Sequence, residues 1–347
     1  MSSVRFVAVG INHDHINGQI KALTNAGAEL AGFYAEEDDL AAAFVGRYAG
    51  VPRLDDPRRA YDDKSVGLII SAGISARRAG IAIDAMRAGK DVMLDKPGMT
   101  SLEQLAAVKA AQQETGRILS IMYSEHFEVG ATVKAGELIA AGAIGEVANI
   151  VGLGPHRLRK AERPGWFFNR AEYGGILCDI ASHQVEQFLF FTGAEDADIL
   201  SASVANRANP DKPELQDIGD VHLRALKGGK PGASGYIRVD WMTPHGLPVW
   251  GDGRLTIIGT EGYIELRKYI DIAGKPGTDH LFLADAKGLQ HIDASKTPLP
   301  YGPQLLADIR DRTETAMPQW RCFKAMEISL KAQAHAEAAA ATARKVA

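Results

Sequence analysis

Cysteine is scarce: Cys178 and Cys322 are the two present in 347 residues. They make no disulfide framework, so a reducing compartment is expected. No apolar run reaches membrane-spanning length. The N-terminus enters an apolar stretch, Val4 to Val9, without the charged region and cleavage site of a secretory signal. A cytoplasmic protein with no membrane partner is expected. Neither charge is in excess, since 39 Lys+Arg against 43 Asp+Glu leave a formal charge of -4. The largest basic cluster is His156 to Lys160, too small a patch to suggest a nucleic-acid partner. With 46% hydrophobic and 24% charged residues the composition is that of a globular protein. At about 150 residues per domain, the length suggests two domains.

The first third alternates short apolar runs with helix-period stretches. Strands are expected over 5–9, 29–34, 66–71, 91–94 and 118–123, and helices over 16–26, 39–48, 76–88 and from Thr100 to about Thr115. Thr100-Ser101-Leu102-Glu103 has the spacing of a capping box. Near-continuous apolar strands separated by helices predict a doubly wound parallel sheet over residues 1–124. From 125 to 347 the pattern changes. Helices over 132–141 and 182–191 accompany strands over 147–153, 199–205, 221–226, 233–241, 254–258 and 263–267, which predicts an α/β domain with an open, mostly antiparallel sheet. The Ala-rich tail from Cys322 to Val346 reads as a helix that packs back or lies at a dimer edge.

The turn after the first strand is Gly10-Ile11-Asn12-His13-Asp14-His15. In a dinucleotide-binding domain this is the place of G-x-G-x-x-G, whose backbone approaches a pyrophosphate at a helix N-terminus. Only Gly10 is kept; Asn12 and His15 take the other glycine positions. A plain turn capped by Asn12 or Asp14 would give the same residues. His13 and His15 have metal-ligand chemistry, but a His-x-His pair by itself is not usually a metal site, so no metal is expected. Ala35 stands where an acid normally holds a ribose, which passes that role to Glu36 or Glu37 in the run Glu36-Glu37-Asp38-Asp39. Four acids without an arginine would repel a 2′-phosphate, favouring NAD over NADP; a solvated helix start explains the run equally well.

Two later segments are more specific. Ala88 to Pro97 (AGKDVMLDKP) places Lys96 just past the C-terminal end of a parallel strand, where open α/β sheets bind ligands. Gly174 to His183 (GGILCDIASH) places Asp179 and His183 four apart, on one face of a helix, so that a carboxylate can orient an imidazole.

With these residues the chain resembles the glucose–fructose oxidoreductase/inositol dehydrogenase/rhizopine-catabolism (Gfo/Idh/MocA) family over nearly its whole length. The family pattern a-G-K-x-V-x-x-E-K-P is met with Asp95 in place of Glu, and G-G-x-x-x-D-x-x-x-H is met unchanged. Gly142 to Gly145 and Gly259 to Gly262 are supporting matches. The resemblance implies a Rossmann domain bound to NAD (NADP not excluded) and a second domain whose open sheet often forms the oligomer interface, hence a homodimer or homotetramer. It implies Lys96, Asp179 and His183 as the active-site trio. Cofactor contacts would come from Gly10, Asn12, His13, His15, Glu36, Ser71, Arg78 and Lys96, and a cis bond at Lys96-Pro97 would be in keeping with X–Pro chemistry. Arg78 stands where the family commonly has His, His126 where it often has Arg, and Glu186 where it has Asp.

The implied reaction interconverts a secondary alcohol and a ketone on a sugar or cyclic polyol. His183 would exchange the hydroxyl proton, Lys96 would stabilise the reacting oxygen, and Asp179 would orient His183 or a substrate hydroxyl. Substrate contacts are expected from Tyr123 and His126 and, in the loop before the GG motif, from His156, Arg157, Trp166 and Arg170, although aromatic packing would account for that loop as well. Two alternatives remain at this level. One is an NAD-retaining glycosidase or lyase acting through transient C3 oxidation; the other is a non-catalytic ligand sensor.

Overall fold

The computed structural model describes residues 3–346. Its first elements are β1 (Arg5–Val9), α1 (His15–Asn25), β2 (Glu29–Tyr34), α2 (Asp38–Arg47), a short α3 (Arg58–Asp62), β3 (Leu68–Ser71), α4 (Arg78–Arg87), β4 (Asp91–Asp95), α5 (Leu102–Thr115) and β5 (Leu119–Met122). The strands form a parallel sheet in the order β2-β1-β3-β4-β5. β3, β4 and β5 are buried along their whole length, the mark of a sheet covered on both faces. This is the doubly wound Rossmann arrangement. The order reverses beside β1, so the crevice at the C-terminal ends of β1 and β3 is the topological switch point.

The capping box before α5 is shifted by one residue from its expected place. Ser101 Oγ accepts the Gln104 N–H, and Gln104 Oε1 accepts the Thr100 N–H in return. Gln104 rather than Glu103 closes the box, because Ser101 has the extended backbone that an N-cap requires.

There follow α6 (Ser124–Phe127), α7 (Gly130–Ala140), β6 (Val147–Pro155), α8 (Arg170–Tyr173), α9 (Ile176–Asp179), α10 (Ala181–Thr192), β7 (Asp196–Ala205), β8 (Ile218–Lys227), β9 (Lys230–Asp240), β10 (Arg254–Gly259), β11 (Gly262–Arg267), β12 (His280–Asp285), β13 (Gly288–Asp293), α11 (Tyr301–Asp311) and α12 (Gln319–Val346). The eight strands β6–β13 form one sheet in the order β13-β12-β11-β10-β6-β9-β8-β7, antiparallel except where β6 runs beside β9. One face carries α10. Glycines on the sheet let it approach: a Cβ on Gly235 would come 2.7 Å from the Phe188 ring, and one on Gly154 2.7 Å from Gln184 Nε2.

The chain divides into two compact units. The first is Met1–Met122 with Ala171–Gly174 and Pro300–Phe323; the second is Tyr123–Arg170 with Gly175–Leu299 and Lys324–Ala347. Pro300–Phe323, expected in the second domain, thus belongs to the first. Its Tyr301 hydroxyl bonds Ser120 Oγ on β5, and Gln319 bonds both backbone groups of Leu119. At Gly302 any Cβ would stand 2.4 Å from the Ala22 carbonyl of α1, so the close approach of α11 to α1 requires glycine.

Candidate active site

In the first unit the loop after β1 leaves the sheet through Gly10, whose φ of 78° favours glycine. A Cβ there would lie 3.1 Å from the Gly73 Cα, so the two bare backbones face one another. Ser71 Oγ accepts the Gly73 N–H and holds this turn; the Ser71 side chain is fully buried. Neither Asn12 nor Asp14 caps α1. The Asn12 amide instead donates to Glu37 Oε1 at 2.8 Å, tying the loop after β1 to the loop after β2.

Beside these glycines opens a cleft of about 660 Å³, lined also by Tyr34, Glu36, Glu37, Asp55, Asp56, Arg58, Tyr61, Arg77 and Asp84. Burial, helped by the Asp84 and Asp56 carboxylates, pushes the Tyr61 hydroxyl pKa well up. Arginine was absent from the acidic run in sequence, yet the fold supplies Arg58 and Arg77, and Arg77 pairs with Glu36 at 2.9 Å. The motif that could have pointed here is Asp55-Asp56-Pro57-Arg58. A side-chain-free cradle at Gly10 and Gly73 beside a cleft lined by acids fits a dinucleotide. Gly10, Asn12, Glu36 and Glu37 are the residues that would hold it.

At the end of β4 the buried Asp95 gathers two imidazoles and a guanidinium from three elements. His15 Nδ1 lies 2.8 Å from its Oδ1, Arg78 Nη2 3.0 Å from its Oδ2, and His13 Nδ1 3.9 Å from its Oδ2. Burial alone would raise the Asp95 pKa, but His15, Arg78 and His13 outweigh it and hold the carboxyl well below the usual range. The fold thus sets beside His13 and His15 a carboxylate from 80 residues further along the chain. Arg78 is 1% exposed and turned inward. It donates to the Gly73 carbonyl and to those of Asp95, Lys96 and Pro97, clamping a turn that contains a cis Lys96-Pro97 bond. Its guanidinium thus holds the turn that carries Lys96.

In the second unit, Asp179 ends α9 and His183 lies in the first turn of α10, with Ile180 between them still in the helical region. The helical spacing read from the GG motif is thus preserved through the break. Both side chains are buried; the Tyr123 ring meets His183 edge-on at 6.1 Å. Gly175, at φ 88°, leaves room for Gln333, whose Oε1 accepts the Leu177 N–H and fixes the start of α9. Below α10 lies a buried network absent from the sequence reading. Glu125 Oε2 accepts from Gln184 Nε2 at 2.9 Å and from Lys268 Nζ at 2.8 Å, and Lys268 also donates to Gln187. Its members are 125 to 268 in chain position, a separation that no local pattern reveals.

The expected substrate residues divide. His126 is paired with Glu186. Arg157 donates to the carbonyls of Pro244, Leu247 and Val249, and Arg170 pairs with Glu337. His156 packs against Trp241 and Trp250. These four have partners within the chain; Trp166, on a short 3₁₀ turn, is half-buried and Tyr123 lies beside His183. Among the described residues no helix is long and apolar enough to cross a membrane.

Residues 4–123 match the family described as "Oxidoreductase family, NAD-binding Rossmann fold", and residues 132–265 match the "GFO/IDH/MocA C-terminal domain". Over 247 residues the chain is 28% identical to the scyllo-inositol 2-dehydrogenase (NAD(+)) of Bacillus subtilis (strain 168), covering 70% of this chain and 66% of that enzyme. It is 27% identical over 207 residues to the levoglucosan dehydrogenase of Pseudarthrobacter phenanthrenivorans, covering 58% and 51%. The chain thus spans just under two thirds of the first enzyme and about half of the second. A solved structure from Erwinia carotovora atroseptica SCRI1043 is 44% identical, with a TM-score of 0.92 over 96% of this chain and 99% of that one. The chain belongs to the GFO/IDH/MocA oxidoreductase family, and its N-terminal unit is that family's NAD-binding Rossmann fold.

Proposed function

We propose that the protein is an NAD(P)-dependent dehydrogenase that interconverts a secondary alcohol and a ketone on a sugar, sugar derivative or cyclic polyol. The observation that carries this reading is the intact GG motif, which buries Asp179 and His183 on successive helical turns, in a chain whose other unit has the dinucleotide cradle. Relatives named for scyllo-inositol and levoglucosan point to the same substrate class. When bound, NAD supplies the hydride acceptor.

The chain's residues manage the proton and the charge. His183 takes the hydroxyl proton in oxidation and returns it in reduction, because an imidazole titrates near neutral pH. Asp179, one helical turn earlier, orients that imidazole or a neighbouring substrate hydroxyl. Lys96 supplies an ammonium to the reacting oxygen and offsets its developing negative charge. Arg78 holds the Lys96 backbone in register for that role. Trp166 offers an aromatic face to the C–H side of a sugar.

A homodimer or homotetramer belongs to the same reading. Leu200, Tyr236, Ile258 and Tyr263, on β7, β9, β10 and β11, are 40–44% exposed. A panel of polyols and sugars with NAD, followed by NADH absorbance, tests the assignment. Net NADH with at least one polyol is expected; saturable polyol binding without NADH, or sugar cleavage without NADH, contradicts it.

A further inference from the structure

We infer that His13, His15 and Asp95 form a binding site for one divalent transition-metal ion, zinc foremost, at the C-terminal edge of the parallel sheet. Each residue offers a ligand atom within 4.8 Å of the other two. They come from the loop after β1, the start of α1 and the end of β4, so the sheet itself sets their separation. Two imidazoles and a carboxylate suit zinc and its neighbours, and three protein ligands leave a fourth position open to water or a ligand oxygen.

The hydrogen bonds around the cluster prepare the donors. The His15 backbone N–H points to His13 Nδ1 at 3.2 Å, a bond that coordination through that nitrogen would replace. Arg78 occupies Asp95 Oδ2 and orients the carboxylate, which leaves Oδ1 directed at His15 Nδ1. In the metal-free protein a proton bridges Oδ1 and His15 Nδ1 across 2.8 Å. Ligands of a tetrahedral zinc stand roughly 3.3 Å apart, so exchanging that proton for the ion needs an opening of about half an ångström. Asp95 is 2% exposed, while the His15 side chain is 36% exposed, which gives the ion a way in.

Binding does not depend on the dehydrogenase activity and is read without it. Tag-free protein stripped with EDTA is titrated calorimetrically with zinc chloride, in buffers of different ionisation enthalpy. One equivalent should bind, with release of about one proton. His13→Ala, His15→Gln and Asp95→Asn should each weaken binding by at least about 10-fold, since losing even a partner of a ligand typically costs that much. X-ray absorption on the zinc-loaded wild type, which avoids any variant that misfolds, should report two imidazole nitrogens and oxygen ligands. No saturable binding at one equivalent, unchanged affinity in a folded His13→Ala/His15→Gln double variant, or a ligand shell without imidazole would each overturn the site.

Discussion

His126 Nδ1 lies 2.8 Å from Glu186 Oε2, between α6 and α10, with both side chains buried. The two positions where the second unit departs from its family's pattern, His for Arg and Glu for Asp, are therefore partners. A shorter base is matched by a longer acid. Breaking a buried pair of this kind costs about 3–5 kcal/mol. His126→Ala and Glu186→Gln should each destabilise by that order in urea unfolding, and the double variant by clearly less than their sum. Simple additivity would show that the pair is not coupled.

Arg78 bonds four backbone carbonyls and the Asp95 carboxylate at once. A lysine has a single ammonium and cannot span that set. Arg78→Lys should therefore destabilise nearly as much as Arg78→Ala, by about 3 kcal/mol or more, as expected for breaking a buried network. Thermal unfolding checks this; a lysine variant with wild-type Tm would remove the clamp from the account.

Five carboxylates and two arginines line the nucleotide cleft, and Glu36 neutralises Arg77. A 2′-phosphate placed among them meets net repulsion of about 1 kcal/mol per unscreened charge. NAD should bind roughly tenfold tighter than NADP. Glu36→Ser, which releases Arg77, should shift the ratio toward NADP. Fluorescence titration with both nucleotides measures it, and equal dissociation constants in the wild type would contradict the reading.

Asp308, near the end of α11, accepts bonds from Thr313 Oγ1, the Thr315 N–H and hydroxyl, and the Ala316 N–H. Burial alone would raise its pKa, but these donors outweigh it and the net shift is downward. As pH falls, the unfolded chain then takes up the proton first. The stabilisation is complete well above about pH 4, the unfolded carboxylate value, and is lost as pH falls through the lower folded value. Asp308→Asn should cost about 1–3 kcal/mol near neutral pH. The gap to wild type should narrow between about pH 5 and pH 3; a gap that widens in acid would reverse the sign.

The parallel sheet was legible because β1, β3, β4 and β5 are buried on both faces and show as near-continuous apolar runs. β13 was not: Gly288–Asp293 is exposed at five of its six residues, so burial leaves no pattern in it. α11 begins Tyr301-Gly302-Pro303, which reads as a turn, yet proline is tolerated in a first helical turn and Gly302 is required by α1. Candidate residues such as Lys96, Asp179 and His183 stand in local motifs that the sequence shows directly. Long-range pairs do not. Asp95 reaches His15 across 80 residues and His126 reaches Glu186 across 60, and only the fold makes such pairs neighbours.

In the proposed mechanism His183 moves the substrate proton while the Rossmann unit binds the nucleotide independently of it. Steady-state kinetics of His183→Ala on a polyol that yields NADH with the wild type, together with an NAD titration of the same variant, tests this directly. A fall in kcat of about 10²- to 10⁴-fold with an almost unchanged Kd for NAD is expected. Wild-type turnover in the variant would contradict the account.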